Sequence, residues 1–187
     1  MSEAPGSAGF VDEFAVVAAC ERLAGLDLEE PWNPPHPAHA AAAAACDEPW
    51  SPPPAHDAIQ DASLPAIDSG VVTVLGLGRA ASVEEAARAA TPDTPITAVL
   101  VTGRPQELAD LPRLVVAELM SCLRVAFPSS AWPDLALVHD PAATLAAAVG
   151  MTSVSDTTET AVLVRDGRIA ARAEGFGAGH AVASLRP

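Results

Sequence analysis

The side chains best suited to holding a metal ion lie between residues 36 and 56. His36, His39, Cys46 and His56 supply nitrogen and sulfur donors, which suit zinc or nickel. The pair His36 and His39 lies within a proline run, and the remaining spacings match no standard metal site. We therefore expect solvent-exposed histidines, with no metal and no cofactor.

The cysteines do not form a redox motif. Cys20, Cys46 and Cys122 are the only 3 cysteines and are widely spaced, so the chain has no C-x-x-C pair. This pattern disfavours a disulfide scaffold, a four-cysteine zinc site and an iron–sulfur cluster. Cys122 falls on the apolar stripe of a predicted helix, where burial makes a thiol a poor nucleophile, and we expect it to be structural.

A glycine-rich segment could form a nucleotide-binding turn. Residues Gly76–Ala81 match the pattern G-x-G-x-x-A between a predicted strand and a predicted helix. A dinucleotide site also needs an acidic residue about 20 positions later, and Val101–Arg104 contains none. We therefore expect the glycines to form a tight strand-to-helix turn.

His139 and Asp140 could form half of an acid–base pair. Adjacent residues at the end of a strand point in different directions, and the sequence places no serine or cysteine as their nucleophile. Asp140 is better interpreted as the N-cap of a helix that starts near Pro141. We predict no catalytic residue in this chain.

Hydrophobic periodicity from residue 71 onwards predicts alternating strands and helices, with a hairpin around Asp166-Gly167. A capping box at Ser82 and Glu85 is predicted to start the first of these helices. The predicted elements are strands Val71–Leu75, Ile96–Val101, Leu135–Val138, Thr160–Arg165 and Arg168–Ala173, and helices Val83–Ala90, Leu111–Val125, Pro141–Val149 and Gly179–Leu185.

Residues 1–70 differ in composition from the rest of the chain. They contain 12 of the 24 acidic residues but only Arg22 of the ten arginines, and 10 of the 18 prolines. We therefore divide the chain into an acidic, Pro-rich N-terminal arm over residues 1–70 and a compact domain over residues 71–187. Within the arm, Phe10–Leu28 has the apolar spacing of one short amphipathic helix.

The arm contains a duplicated motif, Glu-Pro-Trp-x-Pro-Pro, in segments 30–39 and 48–56. Proline runs favour extended polyproline II, so each copy is predicted to be an extended strip that presents one tryptophan. Exposed aromatic anchors supply much of the affinity of interfaces. The predicted partner-binding residues are Trp32, Trp50, Pro34, Pro35, Pro52, Pro53, Phe10 and Phe14. Packing of the tryptophans on the chain's own domain, or a disordered arm, is the alternative.

Length and charge restrict the classes of function. The chain has 187 residues, enough for one domain plus an extension, and its net charge of −14 argues against nucleic acid as a partner. The N-terminus has no basic region followed by a long apolar run, and no apolar stretch approaches the ~20 residues that a membrane span needs. We expect a cytoplasmic protein.

The predicted order of elements, with parallel crossovers first and an antiparallel hairpin and helix last, is the thioredoxin-like arrangement. The segments that carry the resemblance are Val138–Gly150 and Thr160–Ile169, which look like the second half of a thioredoxin. We therefore expect an α/β fold, a three-layer domain with a central mixed sheet flanked by helices. Two departures affect the chemistry: segment 102–110 after the second strand has no C-x-x-C, and Glu159 occupies the position of the family's proline before the hairpin.

Over about residues 71–185 the chain resembles, in its pattern, thioredoxin-like proteins of the HyaE/HupG type, which assist assembly of [NiFe]-hydrogenases. The shared features are the missing C-x-x-C, the long helix that runs into Ala126–Pro128 and Ala131-Trp132, and the complete second half. The resemblance implies a non-catalytic assembly chaperone or scaffold subunit whose partner is an oxidoreductase subunit, with a homo-oligomer also compatible. The alternative from a different class is a divergent, peroxiredoxin-like enzyme that uses Cys46 as its thiol.

Overall fold

The computed structural model describes residues 41–64, 66–91, 94–108, 110–126 and 135–185. By its internal contacts the chain divides into two compact units, residues 39–122 with 134–187, and residues 1–38 with 123–133. The predicted helix Phe10–Leu28 lies outside the described residues. The same holds for the following predicted site residues: Phe10, Phe14, Trp32, Pro34, Pro35, His36 and His39.

Eight strands and five helices are numbered here in chain order over the described residues. The strands are β1 (Ala44–Pro49), β2 (Ala55–Asp57), β3 (Ala62–Leu64), β4 (Gly70–Gly76), β5 (Ile96–Val101), β6 (Leu135–His139), β7 (Glu159–Arg165) and β8 (Arg168–Glu174). The helices are α1 (Ser82–Ala89), α2 (Pro105–Leu108), α3 (Asp110–Ala126), α4 (Thr144–Ala148) and α5 (Ala178–Ala183).

Six of the strands form one mixed sheet in the order β1-β8-β7-β4-β5-β6. Strands β4, β5 and β6 are parallel, whereas β7 pairs antiparallel with β4, and β8 pairs antiparallel with both β7 and β1. Strands β2 and β3 form a separate hairpin. This arrangement confirms the expected α/β class, with a central mixed sheet flanked by helices.

The two faces of the sheet bury separate apolar cores. Alternate residues of β4 point to opposite sides, as in any strand, so Val72 and Val74 lie in one core and Val71 in the other. The first core is closed by α4 through Leu145. The second is closed by α1 and α5 through small residues and Val182. Because β4 is buried on both faces, its sequence is apolar apart from the buried Thr73.

The turn between β7 and β8 forms where the sequence predicts it. Asp166 and Gly167 both have positive φ, at 50° and 68°, which is the backbone that a tight two-residue hairpin requires. The hairpin is thus specified locally, and it places Glu159 at the carboxyl ends of the parallel strands.

Two predicted helix starts need correction. Ala81, and not Ser82, is the N-cap of α1, and the Ser82 hydroxyl instead donates to Glu159 Oε2 at 3.2 Å. Helix α4 begins at Thr144, three residues after Pro141. At α1 the Ser82 hydroxyl makes a long-range hydrogen bond, whereas at α4 the nearby Asp140 carboxylate accepts the first N–H groups of the helix.

The predicted boundary at residue 70 falls inside the structured unit. Strand β1, which the sequence assigns to the arm, is an edge strand of the main sheet and pairs with β8. Asp47 and Glu48 form ion pairs with Arg168 and Arg172, and Trp50 enters the first core. These contacts, which compositional analysis does not detect, incorporate the second half of the predicted arm into the domain.

Candidate functional site

The carboxyl ends of β4, β5 and β6 meet the start of β7 at one edge of the sheet, which we call the carboxyl edge. In open α/β sheets ligands bind at such an edge. Three carboxylates lie there, those of Asp140, Asp156 and Glu159. Their hydrogen bonds determine what chemistry this edge can perform.

Asp140 holds the first turn of α4. Its carboxylate accepts hydrogen bonds from the backbone N–H groups of Thr144 at 2.8 Å, Leu145 at 2.8 Å and Ala146 at 3.1 Å. The Thr144 hydroxyl adds a fourth hydrogen bond at 3.0 Å. With these bonds, and 5% exposed, Asp140 satisfies the first N–H groups of α4, as a capping side chain does, although the N-cap residue itself is Ala143 and not Asp140.

Asp156 joins the loop before β7 to the loop after β5. The Thr102 hydroxyl donates to its Oδ1 at 2.8 Å, and Arg104 Nη2 donates to its Oδ2 at 3.2 Å. The Thr102 hydrogen bond is the main cause of a lowered pKa at Asp156, and Arg104 and the Gly103 N–H contribute in the same direction. The carboxylate is therefore held in its charged form and is poorly suited to transferring a proton.

Glu159 joins β7 to both helices of the second face. Its Oε2 accepts from Ser82 at 3.2 Å, and its Oε1 accepts from the Gly177 N–H, just before α5, at 2.8 Å. The side chain is buried, with 4% of the residue exposed. Glu159 thus fills a structural role, holding the starts of α1 and α5 against β7.

The loop before β7 covers the glycine-rich segment. A Cβ built on Gly76 would overlap the Ser155 carbonyl oxygen and lie 2.5 Å from the Asp156 carbonyl carbon. A Cβ on Gly78 would lie 2.8 Å from the Asp156 carbonyl oxygen, which accepts the Gly78 N–H at 2.8 Å. The chain's own loop therefore occupies the close approach that phosphates use in a dinucleotide site, so the prediction of a structural turn is confirmed.

A shallow pocket lies beside these loops, at the carboxyl ends of β5 and β6. Its lining is mainly apolar, and it is open to solvent, with an inner volume of about 10 Å³, roughly the room that one water molecule needs. The lining includes Leu77, Leu100, Leu108, Pro112, His139 and Pro141. The start of α3 forms part of the wall, and there Leu111 and Leu114 are 55% and 68% exposed. Together, this shallow depression and the exposed leucines form an apolar patch, the kind of surface that contacts another protein.

His139 also lines this pocket, and one of its two ring nitrogens makes no hydrogen bond within the described residues. Its Nε2 is buried and has no hydrogen-bond partner. Burial lowers the pKa of His139 below its ordinary value, and the charge of Arg113 lowers it further. The ring is therefore neutral near pH 7. In a neutral ring, the tautomer decides whether Nε2 donates or accepts a hydrogen bond.

Trp50 is not the exposed anchor that the sequence predicts. It is 8% exposed and packs in the first core, and its indole Nε1 donates to the Ile67 carbonyl oxygen. Pro52 and Pro53 are half-buried beside it. The alternative prediction, a tryptophan packed on the chain's own domain, is correct for this copy of the motif. The apolar ring is buried in the first core, and its N–H is paired with a carbonyl oxygen.

Cys46 and His56, the two described members of the possible metal set, serve other contacts. The Cys46 thiol lies 3.5 Å from the Ile169 carbonyl oxygen, and burial, followed by the charge of Glu48, raises its pKa. His56 Nε2 lies 3.2 Å from Asp61 Oδ1 on the surface. Among the described residues, no three His, Cys, Asp or Glu side chains are grouped so as to hold a metal.

Comparisons with known proteins assign no family. No protein-family model matches the chain, and no curated protein matches its sequence. Within the described ranges no helix is both long enough and apolar enough to cross a membrane.

Proposed function

We propose that this protein is a non-catalytic, thioredoxin-like binding protein that acts as an assembly chaperone or scaffold subunit of a redox enzyme complex. The main support for the proposal is that the three carboxylates at the carboxyl edge all accept hydrogen bonds from the chain itself. Asp140, Asp156 and Glu159 are each bonded to the chain's own loops and helix starts. The edge therefore offers a partner an apolar pocket, while its acidic groups maintain the fold.

The thioredoxin-like part of the proposal is supported by the arrangement of four strands. Strands β5, β4, β7 and β8 are neighbours in that order, with β4 and β5 parallel and β7 and β8 forming the antiparallel hairpin. Helix α5 follows the hairpin and packs on it through the second core. Strands β1 and β6 extend the sheet on either side of this group.

The partner surface that we propose comprises the pocket and the exposed leucines Leu111 and Leu114. The two leucines are three residues apart in α3, so they lie on the same side of the helix and form an exposed apolar pair. The strong negative charge of the chain, −14 in total, favours a partner segment that combines apolar and basic side chains. The resemblance to hydrogenase assembly proteins suggests an oxidoreductase subunit, and a [NiFe]-hydrogenase subunit first.

The proposal is tested by purifying the tagged full chain from its native host and identifying the proteins that accompany it. We expect an oxidoreductase subunit in stoichiometric amount. The same preparation is assayed for peroxide and disulfide turnover, together with the variant Cys46→Ser. Because the raised pKa of Cys46 keeps its thiol protonated at neutral pH, we expect no turnover that depends on this residue. Recovery of the chain alone, with turnover that Cys46→Ser abolishes, would establish the divergent redoxin instead.

A further inference from the structure

His139 has a buried, unpaired nitrogen beside the partner surface. The residue ends β6, pairs in register with Leu100 of β5, and lines the shallow pocket together with Pro112 of α3. Its Nε2 is buried and has no hydrogen-bond partner among the described residues. Buried polar atoms are almost always paired in folded proteins, so this exception needs a physical explanation.

A proton on His139 would make this site much less favourable. In the neutral ring, Nε2 is a single unpaired polar atom without a net charge. In the charged ring both nitrogens carry hydrogen, so Nε2 would be a buried cationic donor without an acceptor. Burying an unpaired charge costs far more than burying an unpaired neutral group. The site therefore accepts the neutral ring and opposes the charged one.

The carboxylate next to His139 is already used by the fold. Asp140 follows His139 directly, but its two oxygens accept four hydrogen bonds from the first turn of α4. Farther along the carboxyl edge, Asp156 and Glu107 both form ion pairs with Arg104. These three carboxylates therefore offer little compensation to a charged ring.

The positive charge that acts on the ring is that of Arg113, near the start of α3. Burial lowers the pKa of His139 below its ordinary value of 6.5, and the charge of Arg113 lowers it further. A proton on His139 would thus add a second positive charge where β6 and α3 line the same pocket. The described charged groups on the elements around the ring are Arg79, Arg104, Glu107, Asp110, Arg113 and Asp140.

We propose that His139 makes the start of α3, and with it the exposed leucines Leu111 and Leu114, sensitive to pH. The start of α3 stays ordered while the ring is neutral, and it loosens when the ring takes a proton. Loosening would let water reach Nε2 and would separate the ring from Arg113, so the loosened state binds the proton more readily. The inference rests on the proposed function in one respect, the assignment of both leucines to the partner surface. A partner that binds the ordered leucines should therefore be released by acid.

The direction of this effect follows from the lowered pKa of His139. In the loosened state the ring has its ordinary pKa of 6.5, whereas in the ordered state its pKa is lower. The ordered state thus has its full stability above pH 6.5 and loses stability as pH falls below that value, by up to about tenfold in the equilibrium constant per pH unit. Between pH 7 and pH 5 most carboxylates keep their charge, so histidines dominate the change.

The proposal is tested by hydrogen exchange of the full-length chain at pH 7 and pH 5. The results are compared as protection factors, which correct for the direct effect of pH on the exchange reaction. In wild type we expect the protection of amides 113–117 to fall about tenfold at pH 5, while that of β4, inside the sheet, is unchanged. In His139→Gln, whose side chain is neutral at both pH values, the protection of amides 113–117 should not change.

Two further variants separate His139 from the other titrating groups. His56→Gln is the matched control, because His56 is a surface histidine beside Asp61, and this variant should lose protection as wild type does. Arg113→Gln changes an exposed residue and leaves His139 in place. Because it removes the like charge, it should reduce the loss of protection at pH 5. Equal losses in wild type and His139→Gln, or no loss in wild type, would overturn the proposal.

Release of the partner is measured on the complex captured with the tagged full chain at pH 7 and then washed at pH 5. We expect the partner to leave wild type and to stay with His139→Gln. A partner that stays with both chains would overturn the control of the partner surface by His139. If no oxidoreductase subunit is captured at pH 7, the proposed function fails, and the exchange measurement still decides whether His139 controls the start of α3.

Discussion

At the scale of single residues, most charged groups at the carboxyl edge serve the fold. Asp156 is the clearest example, because its carboxylate links two loops that are 54 residues apart in the sequence through Thr102, and it also contacts Arg104. Such a link needs a charged acceptor, so the lowered pKa of Asp156 connects the stability of the protein with pH. Cys46 illustrates the converse, since its raised pKa keeps the thiol neutral in its partly buried site.

Replacing Asp156 with asparagine tests this link. Because the folded-state pKa is lowered from the ordinary value of 3.8, the charged group stabilises the protein at pH values above 3.8, and this contribution disappears as pH falls through the folded-state pKa. We expect Asp156→Asn to lower the free energy of unfolding at pH 7, with a difference from wild type that shrinks below pH 3.8. Urea denaturation at a series of pH values measures it.

A carboxylate on the other side of Arg104 provides the control. Glu107 Oε2 lies 3.6 Å from Arg104 Nη1 in an exposed i,i+3 pair, and such pairs contribute little to stability. Glu107→Gln should therefore leave the curve close to that of wild type. If the difference between Asp156→Asn and wild type is the same at every pH, the carboxylate does not stabilise the fold through its charge.

At the scale of elements, the turn after β4 depends on two glycines that let another loop pass close by. The Gly76 N–H donates to the Thr158 carbonyl at 2.8 Å, so β4 continues to pair with this loop at the point where the strand ends. A side chain at Gly76 would collide with main-chain atoms of Ser155 and Asp156, which cannot move without losing these bonds. The glycine-rich pattern is thus explained by packing between loops.

Gly76→Ala should destabilise the protein by roughly 1–3 kcal/mol, the usual range for overpacking, because the added methyl group meets backbone atoms. Gly103→Ala is the matched control, since its added Cβ would find ordinary contacts at 3.4 Å with the same loop. Denaturant midpoints of the two variants give the comparison. Equal stability of Gly76→Ala and Gly103→Ala would contradict the close approach that the structure shows.

Elements with local signals were predictable from the sequence, and elements built by distant partners were not. Strands β4 and β5 and the β7–β8 hairpin follow from buried β-branched runs and from the Asp166-Gly167 turn. Strand β1 has no β-branched residue and ends in Pro49, so nothing local predicts it. Its position depends on Arg168 and Arg172, more than 120 residues away.

The candidate site shows the same division. The capping role of Asp140 could be predicted because the helix that it caps follows directly in the sequence. The roles of Asp156 and Glu159 could not, because their partners Thr102 and Ser82 lie 54 and 77 residues away. The sequence could not decide whether Trp50 is buried, for the same reason. A proline-rich segment does not indicate which surface its tryptophan contacts.

At the scale of the whole molecule, two features bear on binding: the two ends of the sheet, and the apolar surface that we propose binds a partner protein. Strand β1 and Trp50 pack at one end of the sheet beside β8. At the other end, in β6, the Leu137 N–H donates to the Asp57 carboxylate, and the Ala58 N–H donates to the Leu137 carbonyl oxygen. The β6 edge of the sheet is thus partly covered by the chain itself, and β1 forms the opposite edge. The pocket and the exposed residues Leu111 and Leu114 then remain as an apolar surface on an otherwise acidic protein.

The measurement that tests the central claim most directly is quantitative purification of the tagged full chain in three forms. These are wild type, a chain carrying Leu111→Asp with Leu114→Asp, and a chain carrying Leu185→Asp. Leu185 is also exposed, at 37%, but lies after α5 and is not part of the proposed surface, so it controls for the loss of an exposed leucine. We predict that an oxidoreductase subunit co-purifies with wild type and with Leu185→Asp in equal stoichiometry, and that it is lost from the double variant. Circular dichroism should show that all three chains are folded. Recovery of the same subunit with all three chains would contradict the proposed surface, and recovery of none with any of them would contradict the binding function itself.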